Sequence, residues 1–127
     1  MTRPRISVAV AAVAMGWSLW GAGGAAEDPL PKGDSSRGET YYLRYCRGCH
    51  GADGQGDALV FMPHVDNLTR KGYIDLLPDS YLYIAIAKGG LAIGKSSYMP
   101  AWGETLSDQQ IMDIIAHVRS LPLHSNP

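Results

Sequence analysis

Three stretches of this sequence read as helices and none reads better as a strand, so the predicted fold class is all-α. The first and last helices are each announced by a capping box, a Ser followed three residues later by Glu or Gln: Ser36-Arg37-Gly38-Glu39 and Ser107-Asp108-Gln109-Gln110. The middle one lies between Pro78-Asp79 and Lys88-Gly89-Gly90. Proline suits a first helical position, Asp the positive end, Lys the negative end, and the glycine pair a stop. Ile84-Ala85-Ile86 could pass for a strand by composition, but the end signals favour helix.

The amino end comes first. Arg3 and Arg5 precede a run from Ile6 to Ala26 without a charged residue, and the run closes on Gly21-Ala22-Gly23-Gly24-Ala25-Ala26. A basic start, an apolar middle and a small-residue end form a secretory signal peptide, here residues 1–26 with cleavage after Ala26. The alternative is an uncleaved anchor, since the run is just long enough to span a bilayer. Cleavage removes two of the 11 basic residues and none of the 12 acidic ones, leaving 101 residues with a net charge of −3. That length supports one small domain. Its weak negative charge argues against a nucleic-acid partner. Residues 27–35, with two prolines and a glycine, read as an extended leader before a domain over 36–122 and a tail over 123–127.

The first helix is predicted to run from Ser36 into Cys46, with Gly38 and Tyr42 four apart on one face. A glycine within a helix costs ~1 kcal/mol relative to alanine, and close crossing by another helix would explain it. The helix leads into Cys46-Arg47-Gly48-Cys49-His50. This is C-x-x-C-H, the attachment sequence of a c-type haem. Two thiols on one turn can each form a thioether to a porphyrin vinyl group, and the adjacent His50 can ligate the iron. Other readings of the pair fit less well. A thioredoxin-like site wants a βαβ context. A structural zinc wants four ligands, and the chain has only these two cysteines. A simple disulfide leaves His50 unexplained.

In this order, the helix with Gly38 and Tyr42, the C-x-x-C-H and the glycine-rich Gly51 to Gly56 loop resemble the bacterial class I monohaem cytochromes c. The resemblance covers residues ~34 to 122. It implies a cytochrome c fold of three to four main helices wrapped around one covalent haem, with Gly38 and Tyr42 packing on the last helix. It also implies that a proline after the glycine-rich loop turns its carbonyl toward the haem-binding His, and by spacing this is Pro63.

Residues 65–77 read as a loop with one short helix, in which Leu68 and Tyr73 are haem-edge or core contacts. For the sixth iron ligand the candidates are His64, His117, His124, Met62, Met99 and Met112. Ser96 to Gly103 stands out because it is a loop, able to wrap a flat cofactor. In the resembled family, Met-Pro before the last helix carries the axial methionine, here Met99. Tyr98, Trp102, Arg44, Lys71 and Lys95 are unranked donors to the haem propionates. The last helix presents Ile111, Ile114, Ile115, Val118 and Leu121 on one face and is expected to stop at Pro122. His117 stands where the family often carries an aromatic.

Taken together, the resemblance implies a periplasmic electron carrier, His/Met ligated, with haem c as cofactor and redox proteins as donor and acceptor. It implies no small-molecule substrate and no catalytic residue. A membrane partner enters only if the signal segment stays attached. The other reading is a haem c subunit, or dedicated partner, of a periplasmic dehydrogenase, oxidase or reductase.

Overall fold

The computed structural model describes residues 29–56 and 65–124. The expected signal peptide, Met62, Pro63 and His64 therefore lie outside the described residues. Those residues form four α-helices and two single 3-10 turns, with no strand among them: α1 (Ser35–Tyr45), α2 (Arg47–His50), α3 (Asp79–Lys88) and α4 (Asp108–His124), with 3-10 turns at Ile74–Leu76 and Gly90–Ile93.

The fold is organised by the crossing of α1 and α4, the most extensive contact between elements. Gly38 makes it possible. A Cβ there would lie 1.8 Å from the backbone oxygen of Asp113, so only glycine lets the two backbones meet. Gly38 and Tyr42 are the buried residues of α1, as their spacing predicts. The five apolar positions of α4 are all buried, with Met112 beside them as core filler. Tyr42 is fully buried, and its ring lies 4.9 Å from that of His117. The imidazole thus gives Tyr42 a planar neighbour on α4.

The amino end of α1 differs from the prediction. Its N-cap is Asp34, whose carboxylate accepts from the Arg37 amide; the Ser36 box does not form. The choice is made by α4. Asp113 is 1 % exposed, and accepts from the Asp34 amide (2.8 Å), from Gln109 (2.9 Å) and from two guanidinium nitrogens of Arg37 (2.8 and 3.0 Å). Burial pushes the Asp113 carboxyl up, but these donors outweigh it and hold the group below the usual carboxylate range. The leader is docked as well: a Cβ on Gly33 would meet the Met112 oxygen at 2.0 Å, and Gln109 donates to the Lys32 carbonyl.

Three further boundaries shift. The first helix breaks at Cys46, so the C-x-x-C-H turn is a separate four-residue helix. Pro78 is the N-cap of α3, in extended conformation, rather than its first residue. Pro122 lies inside α4, which continues to His124. A proline forfeits its own N–H and crowds the preceding turn, and α4 ends two residues later. At the other end of α4 the predicted box is reciprocal: Gln110 Oε1 accepts from the Ser107 amide at 2.9 Å, and Ser107 Oγ from the Gln110 amide at 3.3 Å.

Arg119 ties α4 to the middle of the chain. Its guanidinium donates to the Asp79 carboxylate and to the carbonyls of Ile74 (3.1 Å) and Leu77 (2.7 Å). No helix among the described residues is long and apolar enough to cross a membrane.

Candidate functional site

Two adjoining cavities of about 420 and 100 Å3 open between α2, α3, the segment from Val65 to Leu77 and the loop around Met99. The larger is lined by Cys46, Cys49, His50 and Met99 together, with Tyr45, Val65, Ile86, Ile93 and Trp102 among its other walls. The smaller reaches the core at Tyr42, Leu82, Ile114, Ile115 and Val118, and it has Leu68 and Tyr73 in its wall. Cys46, His50, Asp66, Ile86, Ile93, Lys95 and Met99 line both. A concave, mostly apolar space with a few convergent polar groups is the usual form of a cofactor site.

The C-x-x-C-H turn is fixed from behind. The Tyr42 hydroxyl donates to the Gly51 carbonyl at 2.8 Å inside the core, and the Gly56 amide donates to the His50 carbonyl at 2.8 Å. Gly51 ends α2 at φ 83°, a left-handed conformation that glycine adopts without strain. The two cysteines are free and half-buried. Burial pushes the Cys46 thiol up to about 12, and the neighbouring Cys49 adds to it. A dithiol redox centre needs a thiol pKa lowered toward neutrality, so this environment is the wrong one for a thioredoxin-like pair. Burial lowers the pKa of His50, and the backbone and charge of Asp66 partly restore it. Its Nδ1 is buried and has no hydrogen-bond partner among the described residues.

Met99 is placed by α3. The Gly90 amide donates to the Met99 carbonyl (3.0 Å), while the Trp102 and Gly103 amides donate to the carbonyls of Ile86 (2.9 Å) and Ala87 (3.0 Å). Those two carbonyls belong to the last turn of α3 and have no partner within the helix. The Met99 loop is therefore the cap of α3. Gly89 and Gly90 let it approach: a Cβ on Gly90 would lie 2.1 Å from the Ser96 oxygen, and one on Gly89 2.8 Å from the Met99 oxygen. In the sequence this glycine pair reads as a helix stop and as a glycine-rich approach to the Met99 segment, but not as the place where the loop backbone packs.

Of the five unranked propionate donors, Tyr98, Trp102 and Lys95 line a cavity and Arg44 and Lys71 do not. The Trp102 ring meets that of Tyr45 at a tilt, with 5.3 Å between centroids, and Arg44 lies over the same Tyr45 ring. Ile86, Ile93 and Asp66 are wall residues that no sequence signal singles out. A helical isoleucine, a loop isoleucine and a loop aspartate become neighbours only through tertiary folding.

These residues fit a c-type haem. Two thiols on one turn, an imidazole with a buried nitrogen that has no partner among the described residues, and a thioether share one apolar space of a size within the ~300–1,000 Å3 usual for cofactor sites.

Comparison with known proteins agrees. Residues 33–118 match the family described as cytochrome c oxidase, cbb3-type, subunit III. The cbb3-type cytochrome c oxidase subunit FixP of Bradyrhizobium diazoefficiens is 31% identical over 94 residues, 73% of this chain and 30% of that protein. The chain thus spans less than a third of the length of this curated relative. Among solved structures, the KustC0563 c-type cytochrome superposes with a TM-score of 0.56 at 21% identity, over 66% of this chain and 95% of that one.

Proposed function

Because the chain belongs to the cbb3-type subunit III family of c-type cytochrome domains, we propose that it is a periplasmic electron carrier with Cys46 and Cys49 as the haem attachment points. His50 and Met99 would hold its iron, and the carbonyl of Pro63 would orient His50. Haem c, when bound, supplies an iron that passes between ferric and ferrous states. The observation that carries the assignment is the single apolar cavity whose wall holds both thiols, the imidazole and the thioether.

Each side chain has its own part. The thiols anchor the group next to α1. His50, held by the Tyr42–Gly51 and Gly56–His50 hydrogen bonds, offers a nitrogen from a fixed turn. The buried Nδ1 calls for an acceptor, and the Pro63 carbonyl is the proposed one. Met99 offers a soft sulfur ligand, which favours the reduced metal. Ile86, Ile93, Tyr45 and Trp102 exclude water. With His50 and Met99 both holding the iron, the protein would leave no open coordination site for a substrate, and no residue is assigned a catalytic role. Export follows from residues 1–26 read as a cleaved signal, with the domain proper over 36–122.

The second reading is an electron-transfer domain working inside an oxidase complex. The family description and the FixP relative favour it. Partners retained when the protein is purified from its native membranes and periplasm separate the two: a stable stoichiometric complex supports the subunit, free monomer the carrier.

Mass spectrometry and visible spectroscopy test the assignment. The mature protein should begin at Glu27 and carry one haem through two thioethers. Its ferric form should show the far-red methionine-to-iron band, and its ferrous form should not bind carbon monoxide. Met99→Ala should lose the band and bind carbon monoxide. An unchanged spectrum would remove Met99 from the iron, and an intact amino terminus would replace the free carrier with a tethered one.

A further inference from the structure

We propose that Lys95 binds a carboxylate of the haem and that Asp66 and Tyr73 position its ammonium group for the contact. The inference rests on the haem reading above and adds the residue that meets the cofactor's charge. The porphyrin of haem c carries two ionised carboxylates. Placing such charges beside apolar walls is costly unless a cation or strong donors meet them.

Lys95 is the only Lys or Arg among the described residues that lines either cavity, and it lines both. Its Nζ donates to Asp66 Oδ2 and to the Tyr73 hydroxyl, each at 3.2 Å, and stands 5.8 Å from the centre of the Tyr73 ring. An ammonium has three donors, so one is left for a ligand. Both existing bonds are longer than the ~2.7–2.9 Å of a tight charge-assisted contact. They orient the group without saturating it. The Tyr73 hydroxyl and the Asp66 carboxylate push the Lys95 pKa up, which keeps it charged.

The stem is fixed as well. The Lys95 amide donates to the Gly90 carbonyl at 2.8 Å, directly after Gly94 turns the chain at φ 70°. Gly90 in turn holds the Met99 carbonyl, so the cation and the thioether are set by one short turn. Among the described residues, Asp66 is the only carboxylate in either wall. Alone it would repel an incoming carboxylate, and Lys95 cancels that repulsion.

The test uses the haem-loaded protein and the substitutions Lys95→Gln, Lys95→Arg and Lys88→Gln. Lys88 is exposed, carries the same charge and lines neither cavity. Lys95→Gln should keep one covalent haem and the methionine band. At a fixed applied potential its reduced-to-oxidised ratio should fall by roughly threefold to tenfold, tenfold being about 59 mV for a one-electron couple. Its redox-difference infrared spectrum should show a shifted haem carboxylate stretch. Lys95→Arg should restore both readouts, and Lys88→Gln should move neither. A Lys95→Gln protein with wild-type potential and infrared bands overturns the proposal while leaving the haem assignment intact, as does an equal effect from Lys88→Gln. A wild-type protein without covalent haem overturns the haem assignment itself.

Discussion

Asp113 is the charged side chain with the most at stake. It is almost wholly buried, accepts from two elements besides its own helix, and has its pKa held below the usual 3.8 by Arg37, the Asp34 amide and Gln109 against the upward push of burial. A carboxyl with a depressed folded pKa contributes stability that is present above its unfolded value and is lost as pH falls through the folded one. Asp113→Asn should therefore be less stable than the parent at pH 7. The gap should close as pH drops below about 3.8, because the parent then loses the same charge. Urea unfolding of the haem-loaded proteins between pH 7 and pH 3 measures it; a gap that stays constant with pH would show that the charge is not what matters. Arg37 is half-exposed, so salt should shrink part of the effect.

At the level of elements, the α1–α4 crossing depends on the missing side chain at Gly38. Gly38→Ala places a methyl within 1.8 Å of a backbone oxygen that cannot rotate away. Overpacking of this kind costs about 3 kcal/mol. The denaturation midpoint should fall accordingly, with the haem spectrum retained while the protein is folded. This glycine, its partner Tyr42, the apolar face of α4 and the Ser107 box could all be read in the sequence because each depends on spacing within one helix. The start of α1 could not. Asp34, Ser35 and Ser36 are all good caps, and the selection is made by Asp113, seventy-nine residues away from Asp34. The role of Gly89-Gly90 was legible in part. The pair reads as a helix end and as a glycine-rich approach to the Met99 segment, but the sequence does not show that the loop backbone packs directly against it.

For the whole molecule, the cofactor belongs to the core. A cavity of about 420 Å3 left unfilled would forfeit on the order of 10 kcal/mol, taking ~24 cal/mol per Å3 as an upper limit for a space partly open to solvent. That is comparable to the whole stability of a small domain, ~5–15 kcal/mol. The double substitution Cys46→Ala/Cys49→Ala should remove the covalent haem and abolish the cooperative thermal transition followed by far-ultraviolet circular dichroism. A haem-free variant that still melts sharply near the parent temperature would mean that the helices are self-sufficient. The attachment motif and Met99 are legible in the sequence as residue types in order. The walls are less so: Ile86, Ile93 and Asp66 come from separate elements and meet only in the fold, and Lys95 reads in the sequence only as one of five unranked donors.

The amides of Trp102 and Gly103 close the last turn of α3, and this has a kinetic consequence. The segment bearing the proposed methionine ligand cannot swing out as an independent flap. To leave, it must uncap the helix and expose the Ile86 and Ala87 carbonyls. If Met99 ligates the iron, release of its sulfur by movement of this segment would carry with it fraying of the α3 end.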